Sequence, residues 1–318
     1  MKKTKKDKPK LLVIYGPTVT GKTALAIKLA KKFNGEIISA DSRQVYKGLD
    51  IGTGKVNFSS KVEKHQGYWI VDDIKVHGFD VLNPGKQYSV SEFIDYGSKS
   101  VTSITKLGKL PILVGGTGFY IKSFLYGLES QGIRKNTRLR NSLSKLSALQ
   151  LFEKLRKLNP QKAASLNRSD VNNPRRLIRT IEIEKSTSKQ ANLNTQRFVG
   201  KIKIIGLTAP NEYLYRKADK WLEDRLKAGL ADEIKKLMET VDSHWLSSLG
   251  LEYKWLALSS LGKKETVEAI KRLKGDIHAY IRRQKTWFKQ FKNIMIYDIS
   301  KKEETELVVR NIENFVKN

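Results

Sequence analysis

The 318-residue sequence contains no cysteine. Disulfide bonds, thiolate metal sites and a cysteine nucleophile are therefore excluded. No apolar run approaches the roughly 18 residues of a membrane-spanning helix, so we expect no membrane partner. The basic residues 1–10 lead into LLVIYG, which is too short for the apolar segment of a signal peptide. We expect a cytoplasmic monomer with a disordered basic tail at residues 1–10.

Acidic residues are scarce relative to basic ones. There are 32 Asp+Glu against 61 Lys+Arg, which gives a net charge of +29. The excess is greatest in residues 134–200, with 16 basic and four acidic residues, and in 271–292, with eight basic residues and only Asp276 as an acid. A polyanionic partner is indicated, and nucleic acid is favoured over a membrane surface. The alternative is a basic surface without a polyanionic partner.

Short apolar runs alternate with helical patterns along the first 128 residues, and glycine-rich turns follow the runs. Such alternation predicts an α/β fold with a P-loop NTPase-like parallel sheet. The helix predicted over 90–108 has Ser91 as a candidate cap. The candidate strands are KLLVIYG (10–16), GEIISAD (35–41), YWIVDDI (68–74), KLPILVGGTG (109–118), KIKIIGLT (201–208) and NIMIYDI (293–299).

Residues 131–200 differ from their surroundings in being polar, basic and helical in pattern. We predict that they form a helical insertion domain that contacts RNA. The catalytic core would then consist of residues 11–130 and 201–318, including the C-terminal helices.

A phosphate-binding loop is the clearest motif. The stretch GPTVTGKT follows an apolar strand and precedes a helical pattern. Its glycines let backbone N–H groups converge on phosphate oxygens at the positive end of the helix, and its lysine adds a charge. The threonine hydroxyl after the lysine, at Thr23, can ligate Mg²⁺. The predicted phosphate-binding residues are Gly16, Pro17, Thr18, Val19, Thr20, Gly21, Lys22 and Thr23.

Two further strand ends carry polar side chains. Asp41 follows the second strand, and Thr117 lies in the turn GGTG after another. The carboxyl ends of parallel strands share one edge of a sheet, so both should lie near the phosphate loop. Asp41 can act as a general base or bind a metal through water. Asp41 or Ser42 could instead cap a helix, and GGTG could be a plain turn.

Asp72 and Asp73 end the apolar run YWIVDD. Either could be the Mg²⁺-holding acid of an ordinary P-loop nucleotide enzyme, or simply an exposed strand end.

Two basic stretches interleave arginine with apolar and aromatic residues at helical spacing: NNPRRLIRT at 172–180 and RRQKTWFKQF at 282–291. Guanidinium groups bind phosphate in bidentate fashion and stack on bases. These stretches are candidate RNA contacts, unless they are solvated basic faces.

Taken together, the motifs resemble those of the tRNA dimethylallyltransferase (isopentenyl transferase) family over about residues 10–295. The similar stretches are GPTVTGKT, DSRQVYKGLDIGTGK, LVGGTGFYIKSFLYGL, NNPRRLIRTIEI, GLADEIKKLM and RRQKTWFK, in that order. The resemblance implies transfer of a dimethylallyl group from dimethylallyl diphosphate to the exocyclic amine of the tRNA adenosine 3′-adjacent to the anticodon. The partners would be that diphosphate, the tRNA anticodon stem-loop and Mg²⁺.

The resemblance also implies roles for residues. The loop holds the diphosphate leaving group, with Lys22 catalytic, and Asp41 takes a proton from the adenine amine. Thr117 sits where adenine meets diphosphate. The implied tRNA contacts are Asp41, Ser42, Arg43, Gln44, Thr117, Arg140, Arg175, Arg176, Leu177, Ile178, Arg179, Arg282, Arg283, Gln284 and Trp287.

The sequence departs from the family pattern in places. GYWIVDD stands where the family has a His-rich segment, and GTGKV lacks the family's proline after the lysine. An arginine expected to hold the diphosphate falls on Trp221, with Lys217 or Lys220 as candidate substitutes. The zinc finger of eukaryotic relatives is absent.

Three alternatives remain open. The chain could prenylate free AMP, it could be a small-molecule P-loop kinase, or it could be a non-catalytic RNA-binding protein. The long basic module favours tRNA over a mononucleotide, because a mononucleotide needs no extended phosphate contacts.

Overall fold

A computed structural model describes residues 8–317 except 56, 129, 131, 134, 187–197 and 292–293. Residues 1–7 of the predicted tail, and Val56 at the position of the expected proline, lie outside the described residues. By its internal contacts the chain divides into two compact units. One comprises Met1–Leu125 with Arg197–Asn318, and the other comprises Tyr126–Gln196.

The larger unit is built on an eight-stranded sheet in the order β3-β4-β5-β2-β6-β1-β7-β8. The strands are β1 (Lys10–Tyr15), β2 (Gly35–Ser39), β3 (Val62–His65), β4 (Tyr68–Val71), β5 (Ile74–His77), β6 (Leu110–Gly115), β7 (Lys201–Thr208) and β8 (Met295–Asp298). Six of them, from β5 to β8 across the sheet, pair in parallel. The predicted α/β fold with a parallel sheet is confirmed.

The edge of the sheet beyond β5 differs from the prediction. YWIV forms β4, but β3, β4 and β5 are antiparallel to one another. Asp72 and Asp73 form the two-residue turn between β4 and β5, with φ of 50° and 67°. A two-residue hairpin requires positive φ at both positions, which aspartate tolerates better than most residues. Because β5 runs parallel to β2, this turn lies at the amino-terminal edge of the sheet, opposite the carboxyl ends of the parallel strands.

The larger unit contains nine helices among its described residues. They are α1 (Lys22–Lys32), α2 (Val90–Lys106), α3 (Gly118–Tyr126, whose last residue belongs to the smaller unit), α9 (Asn211–Lys227), α10 (Leu230–Met238), α11 (Ser243–Leu249), α12 (Leu251–Ser260), α13 (Thr266–Phe288) and α14 (Lys302–Lys317). The cap of α2 was predicted wrongly. Ser89, not Ser91, is its N-cap, in a reciprocal capping box with Glu92.

Both faces of strand β1 are buried, as its unbroken apolar sequence predicts. Leu12 and Ile14 pack on one side, against α1 and α14. Leu11 and Val13 pack on the other side, among residues of α2 and α3. A third apolar cluster joins α9 to α13 with the segment around Val45. The sheet therefore fixes where the strand ends lie.

The smaller unit is helical and has its own core. Its helices are α4 (Thr137–Leu143), α5 (Ala148–Leu158), α6 (Pro160–Ala164), α7 (Arg168–Val171) and α8 (Pro174–Lys185). Leu143, Leu151, Leu155, Leu177 and Ile181 are buried together. Through the described part of both units, no helix combines the length and the apolar character needed to cross a membrane.

Candidate active site

The phosphate loop lies between β1 and α1, as predicted. Gly21 is the N-cap of α1 with φ of 78°, and Val19 also has a positive φ of 63°. The Thr20 hydroxyl donates to the Pro17 carbonyl at 2.8 Å. A curled backbone at the amino terminus of a helix, here one of 11 residues, is an arrangement suited to bind anions.

Lys22 is the first residue of α1, and its ammonium folds back over the loop. Nζ donates to the Pro17 carbonyl at 2.7 Å. Burial lowers the pKa of Lys22 to about 8, and the nearby charge of Asp41 acts in the opposite direction. A bound anion would give this ammonium a negatively charged partner and would favour its charged form.

Asp41 and Thr117 follow neighbouring strands, and the structure brings them together. The Ser42 N–H donates to Thr117 Oγ1 at 3.2 Å, and the Thr117 N–H donates to the Ala40 carbonyl at 3.3 Å. A Cβ on Gly115 would lie 2.1 Å from the Ala40 carbonyl oxygen, so only glycine permits this approach. The first glycine of the GGTG turn thus serves close packing of two strand ends.

The carboxylate of Asp41 closes its own turn. Oδ1 accepts the N–H groups of Arg43 at 2.9 Å and Gln44 at 3.4 Å. The alternative that Asp41 or Ser42 caps a helix is wrong, because residues 42–45 form a turn and not a helix. Asp41 also lines the cavity described below. Hydrogen bonds at one oxygen orient the group, and they are compatible with the predicted role of general base.

Gln284 of α13 joins the phosphate loop to the GGTG turn. Its Oε1 accepts the Thr18 N–H at 2.9 Å and the Thr18 hydroxyl at 3.3 Å. Its Nε2 donates to the Gly116 carbonyl at 3.0 Å. Gln284 was predicted as a tRNA contact, but its buried amide is used up by these bonds.

These elements enclose a cavity of about 420 Å³ in the larger unit. The phosphate loop, the strand ends and α9 contribute its walls. The wall residues that matter for chemistry are Gly21, Lys22, Thr23, Asp41, Trp221 and Arg225.

Arg43 and Gln44 are engaged with the protein. Arg43 Nη1 pairs with the buried carboxylate of Glu252 at 3.1 Å. Gln44 accepts from the Ser39 hydroxyl at 2.7 Å and donates to the Thr53 and Gly54 carbonyls. The Arg43–Glu252 pair could not be read from the sequence, because the two residues are 209 positions apart.

The wall formed by α9 holds a residue that sequence reasoning missed. Arg225 is 5% exposed, and its Nε and Nη1 have no hydrogen-bond partner within the described part of the chain. Its guanidinium lies 4.2 Å from the ring centre of Trp221, one helical turn earlier. Spacing along the helix could have drawn attention to it.

The segment 282–289 splits between two faces of α13, as helical periodicity requires. Arg282 and Arg283 are exposed, with Arg282 donating to the Tyr215 hydroxyl at 2.8 Å. Trp287 packs against the start of α3, where a Cβ on Gly118 would meet its ring at 2.2 Å. Its indole is therefore a packing element rather than a free stacking surface.

The candidate tRNA residues of the smaller unit also divide. Arg140 and Arg179 both bind the buried carboxylate of Glu182. Arg140 makes two bonds to it, at 2.9 and 2.6 Å. These pairs hold the pKa of Glu182 low, at about 2, against the opposing effect of burial.

The rest of that group differ in their exposure. Leu177 is fully buried in the core, so its predicted tRNA contact cannot come from its side chain, and Ile178 is half-buried beside it. Arg176 pairs with Asp170 at 2.6 Å while remaining exposed. Arg175 is exposed and carries no ion pair within the described residues.

Asp72 and Asp73, the alternative candidates for a Mg²⁺-holding acid, lie away from the site. Asp72 accepts from the Ser60 hydroxyl at 3.1 Å and the Lys61 N–H at 2.9 Å, at the edge of the sheet away from the phosphate loop. Neither Asp72 nor Asp73 lines the cavity. Among the described residues no group of three or more His, Asp or Glu side chains could hold a metal ion.

A curled glycine-containing loop at the carboxyl edge of a parallel sheet, opening into a cavity with a carboxylate, is the architecture of a P-loop α/β protein. The family model for IPP transferase matches residues 44–291. A tRNA dimethylallyltransferase of Anoxybacillus flavithermus is 37% identical, covering 96% of each chain. One from Acetivibrio thermocellus is 34% identical, covering 96% of this chain and 97% of the other.

Solved structures agree. The full-length tRNA isopentenylpyrophosphate transferase of Bacillus halodurans aligns with a TM-score of 0.68 and 30% identity, over 98% of this chain and 97% of the other. A eukaryotic dimethylallyltransferase acting on tRNA aligns with a TM-score of 0.75 and 25% identity, over 92% of this chain and 74% of the other. The chain belongs to the IPP transferase family.

Proposed function

We propose that this enzyme transfers a dimethylallyl group from dimethylallyl diphosphate to the exocyclic amine of the tRNA adenosine 3′-adjacent to the anticodon. The observation that carries the proposal is the cavity in which Lys22 of the phosphate loop and the Asp41 carboxylate face one space. A diphosphate at the loop would put its allylic carbon within the same cavity as an adenine amine beside Asp41. Membership of the IPP transferase family supports this pairing of substrates.

The phosphate loop would bind the diphosphate and stabilise it as it leaves. As the bond between the allylic carbon and the diphosphate oxygen breaks, its electron pair stays on the diphosphate. Negative charge therefore grows on the phosphate oxygens, where loop N–H groups and Lys22 are already oriented. Lys22 would exchange its bond to the Pro17 carbonyl for a phosphate oxygen.

Asp41 would act as the general base. The adenine amine nitrogen forms the new bond to the allylic carbon, and one of its protons moves to the Asp41 carboxylate. The products are the prenylated adenosine and free diphosphate. Thr117, held against Ser42, would position the nucleotide at the junction between base and diphosphate.

Magnesium fits the donor set of the site. Thr23, in the first turn of α1, offers a hydroxyl oxygen in the cavity wall, and Asp41 offers carboxylate oxygens. Mg²⁺ typically takes one or two such oxygens together with substrate phosphates and water. Thr23 would hold the ion, which when bound would offset the charge of the diphosphate.

Exposed cations would bind the tRNA backbone. Arg282 and Arg283 of α13, Arg175 and Arg176 of α8, and the surplus of basic residues in 134–200 support tRNA over AMP as the acceptor. An adenine within a stacked anticodon loop cannot reach into this cavity, so the base would have to be extruded. Phosphate contacts would offset that cost.

The test uses labelled dimethylallyl diphosphate with Mg²⁺ and either tRNA, AMP or no acceptor. We expect label in tRNA alone. Label in AMP alone would identify a mononucleotide prenyltransferase. ATP hydrolysis in a parallel reaction with ATP and Mg²⁺, together with no label transfer in the first assay, would identify a kinase-like enzyme. Either result would overturn the proposal.

We further propose that the protein acts in the cytoplasm, where tRNA is available, and as a monomer. Size-exclusion chromatography with light scattering tests the monomer: a mass near 36.3 kDa is expected, and twice that mass contradicts it.

A further inference from the structure

The cavity wall that α9 forms contains a buried guanidinium with two donors that have no partner among the described residues. Arg225 lies on the buried stripe of α9, four residues after Trp221. Its Nε and Nη1 have no partner in the described part of the chain although the side chain is 5% exposed. Unpaired buried donors are rare in folded proteins and usually mark a function or a missing ligand.

The neighbouring acids do not serve as its partners. Glu233 accepts the N–H groups of Asp50, Ile51 and Gly52 and the Tyr253 hydroxyl. Glu252, as described above, pairs with Arg43. Burial lowers the pKa of Arg225 to about 10, although these acids act in the opposite direction, and the group stays charged at neutral pH.

The guanidinium is also held in place. It lies over the Trp221 ring at 4.2 Å and over the Phe58 ring at 5.2 Å. On another side, a Cβ on Gly54 would lie 2.6 Å from its Nη2, so only glycine leaves room there. Arg225 is thus a flat cation packed between aromatic rings in the cavity wall, with two buried donors that lack a partner among the described residues. Such a group is suited to bind an anion through two oxygens.

We propose that Arg225 binds the diphosphate of the prenyl donor through Nε and Nη1, in the cavity that Lys22 also lines. The inference rests on the proposed function for the identity of the anion. Trp221, which occupies the position where the family resemblance led us to expect an arginine, then serves as the surface on which Arg225 lies. Lys217 and Lys220, the candidate substitutes, line the same cavity. Both are exposed, so their ammonium groups are solvated where the Arg225 donors are buried, and Lys220 is also 3.7 Å from Asp224.

A backbone phosphate of the tRNA is the other anion that Arg225 could bind, and the test distinguishes it from the diphosphate. The main variant is R225M, which keeps the volume and removes the donors. Arg216, exposed on the same helix, gives the matched control R216M. The probe is inorganic pyrophosphate with Mg²⁺ and no tRNA, measured by calorimetry and by the shift in melting temperature.

We expect R225M to lose at least tenfold in pyrophosphate affinity while its melting temperature without ligand stays equal to that of the wild type or rises. The rise would follow because unpaired buried donors are removed and no acid loses its partner. The KM for dimethylallyl diphosphate should rise at least tenfold, with the KM for tRNA and all values for R216M unchanged.

Unchanged pyrophosphate affinity in R225M would overturn the inference, whatever happens to stability. A raised KM for tRNA with an unchanged KM for the diphosphate would assign Arg225 to a tRNA phosphate instead. If R225M does not fold, R225K takes its place: it keeps the charge but not the paired donors, and wild-type affinity in it would contradict bidentate binding. If the wild type binds pyrophosphate through Arg225 but transfers no prenyl group, the proposed reaction fails and the anion site stands.

Discussion

The side-chain amide of Gln284 accepts the backbone N–H of Thr18 at 2.9 Å, across 266 residues of sequence. Through the same amide, helix α13 also bonds the Gly116 carbonyl at 3.0 Å. The phosphate loop and the turn that carries Thr117 are therefore held in a fixed relation by one buried side chain. Diphosphate binding and adenine positioning should both depend on it.

Replacing Gln284 by leucine tests this relation. Q284L keeps the volume but leaves the Thr18 N–H and the Gly116 carbonyl without partners. We expect a loss of about 1–3 kcal/mol in the free energy of unfolding and weaker pyrophosphate binding. Urea unfolding and calorimetry measure the two effects. The neighbouring exposed Thr286 supplies the control T286A. Equal stability and equal pyrophosphate affinity in Q284L and T286A would show that Gln284 does not hold the phosphate loop against the GGTG turn.

The role of Asp41 can be separated from its turn. In D41N the side-chain oxygen can still accept the N–H groups of Arg43 and Gln44, so the local structure should remain. We expect pyrophosphate and tRNA to bind as in the wild type while the rate of transfer falls by about 10² to 10⁴. Single-turnover kinetics measure this. Transfer at the wild-type rate would remove Asp41 from the role of base.

The lowered pKa of Lys22 predicts a pH dependence of anion binding. In the free protein the ammonium, with a pKa of about 8, is charged below that pH and is neutralised as the pH rises through it. A bound diphosphate favours the charged form, so wild-type affinity for pyrophosphate should fall as the pH rises from 7 to 9.

Pyrophosphate itself also changes charge over this range, so the comparison is with K22M. That variant should bind more weakly at every pH, and its affinity should lack the part of the fall that is due to Lys22. Parallel curves for the two proteins would show that the charge of Lys22 does not govern binding.

A buried lysine stabilises the loop that contains Gly54. Lys55 is fully buried and bonds Asp50 at 2.6 Å, Asp80 at 2.5 Å and the Tyr46 carbonyl at 2.8 Å. K55M would leave the buried carboxylate of Asp80 without its cation, while Asp50 keeps its ion pair with Lys64. We expect about 3–5 kcal/mol of destabilisation in urea. The exposed Lys61 gives the control K61M, for which a change within about 0.5 kcal/mol is expected. A K55M protein as stable as K61M would refute this anchoring role.

Salt dependence separates free arginines from paired ones. Arg175 is exposed, so R175Q should lower the steepness of the log–log salt dependence of tRNA binding by about 1 without changing stability. Arg140 is bonded to Glu182, so R140Q should instead destabilise the smaller unit by about 1–3 kcal/mol. Filter binding across salt concentrations and urea unfolding give both values. A flat salt dependence in the wild type would argue against phosphate contacts altogether.

The phosphate loop and the strand ends that carry Asp41 and Thr117 could be predicted from short stretches of sequence. The phosphate loop is a run of eight residues between a strand and a helix, and its glycines determine its shape. Asp41 and Thr117 could be placed together because parallel strands end at one edge of a sheet. The antiparallel hairpin at Asp72 and Asp73 was missed, because short half-exposed strands give little periodic signal.

The other features of the site depend on contacts between residues that are far apart in the sequence, and these could not be predicted. The sequence shows arginines at 140 and 179 but not that both share the carboxylate of Glu182, and it cannot show that Gln284 turns inward to the phosphate loop. Arg225 escaped notice for the same reason. Its significance lies in the absence of a partner within the described residues, which only a packed structure can reveal.

The central claim is that the protein transfers the dimethylallyl group to one adenosine of tRNA. The most direct test is to identify the nucleoside that carries the prenyl group and to measure the amount of diphosphate released. Unmodified tRNA is incubated with the protein and labelled dimethylallyl diphosphate, and the RNA is then digested for mass spectrometry of its nucleosides. The account predicts one five-carbon group on the adenosine 3′-adjacent to the anticodon for each diphosphate released, and none when guanosine replaces that adenosine. Diphosphate release without a modified adenosine, or modification that persists after the replacement, would contradict it.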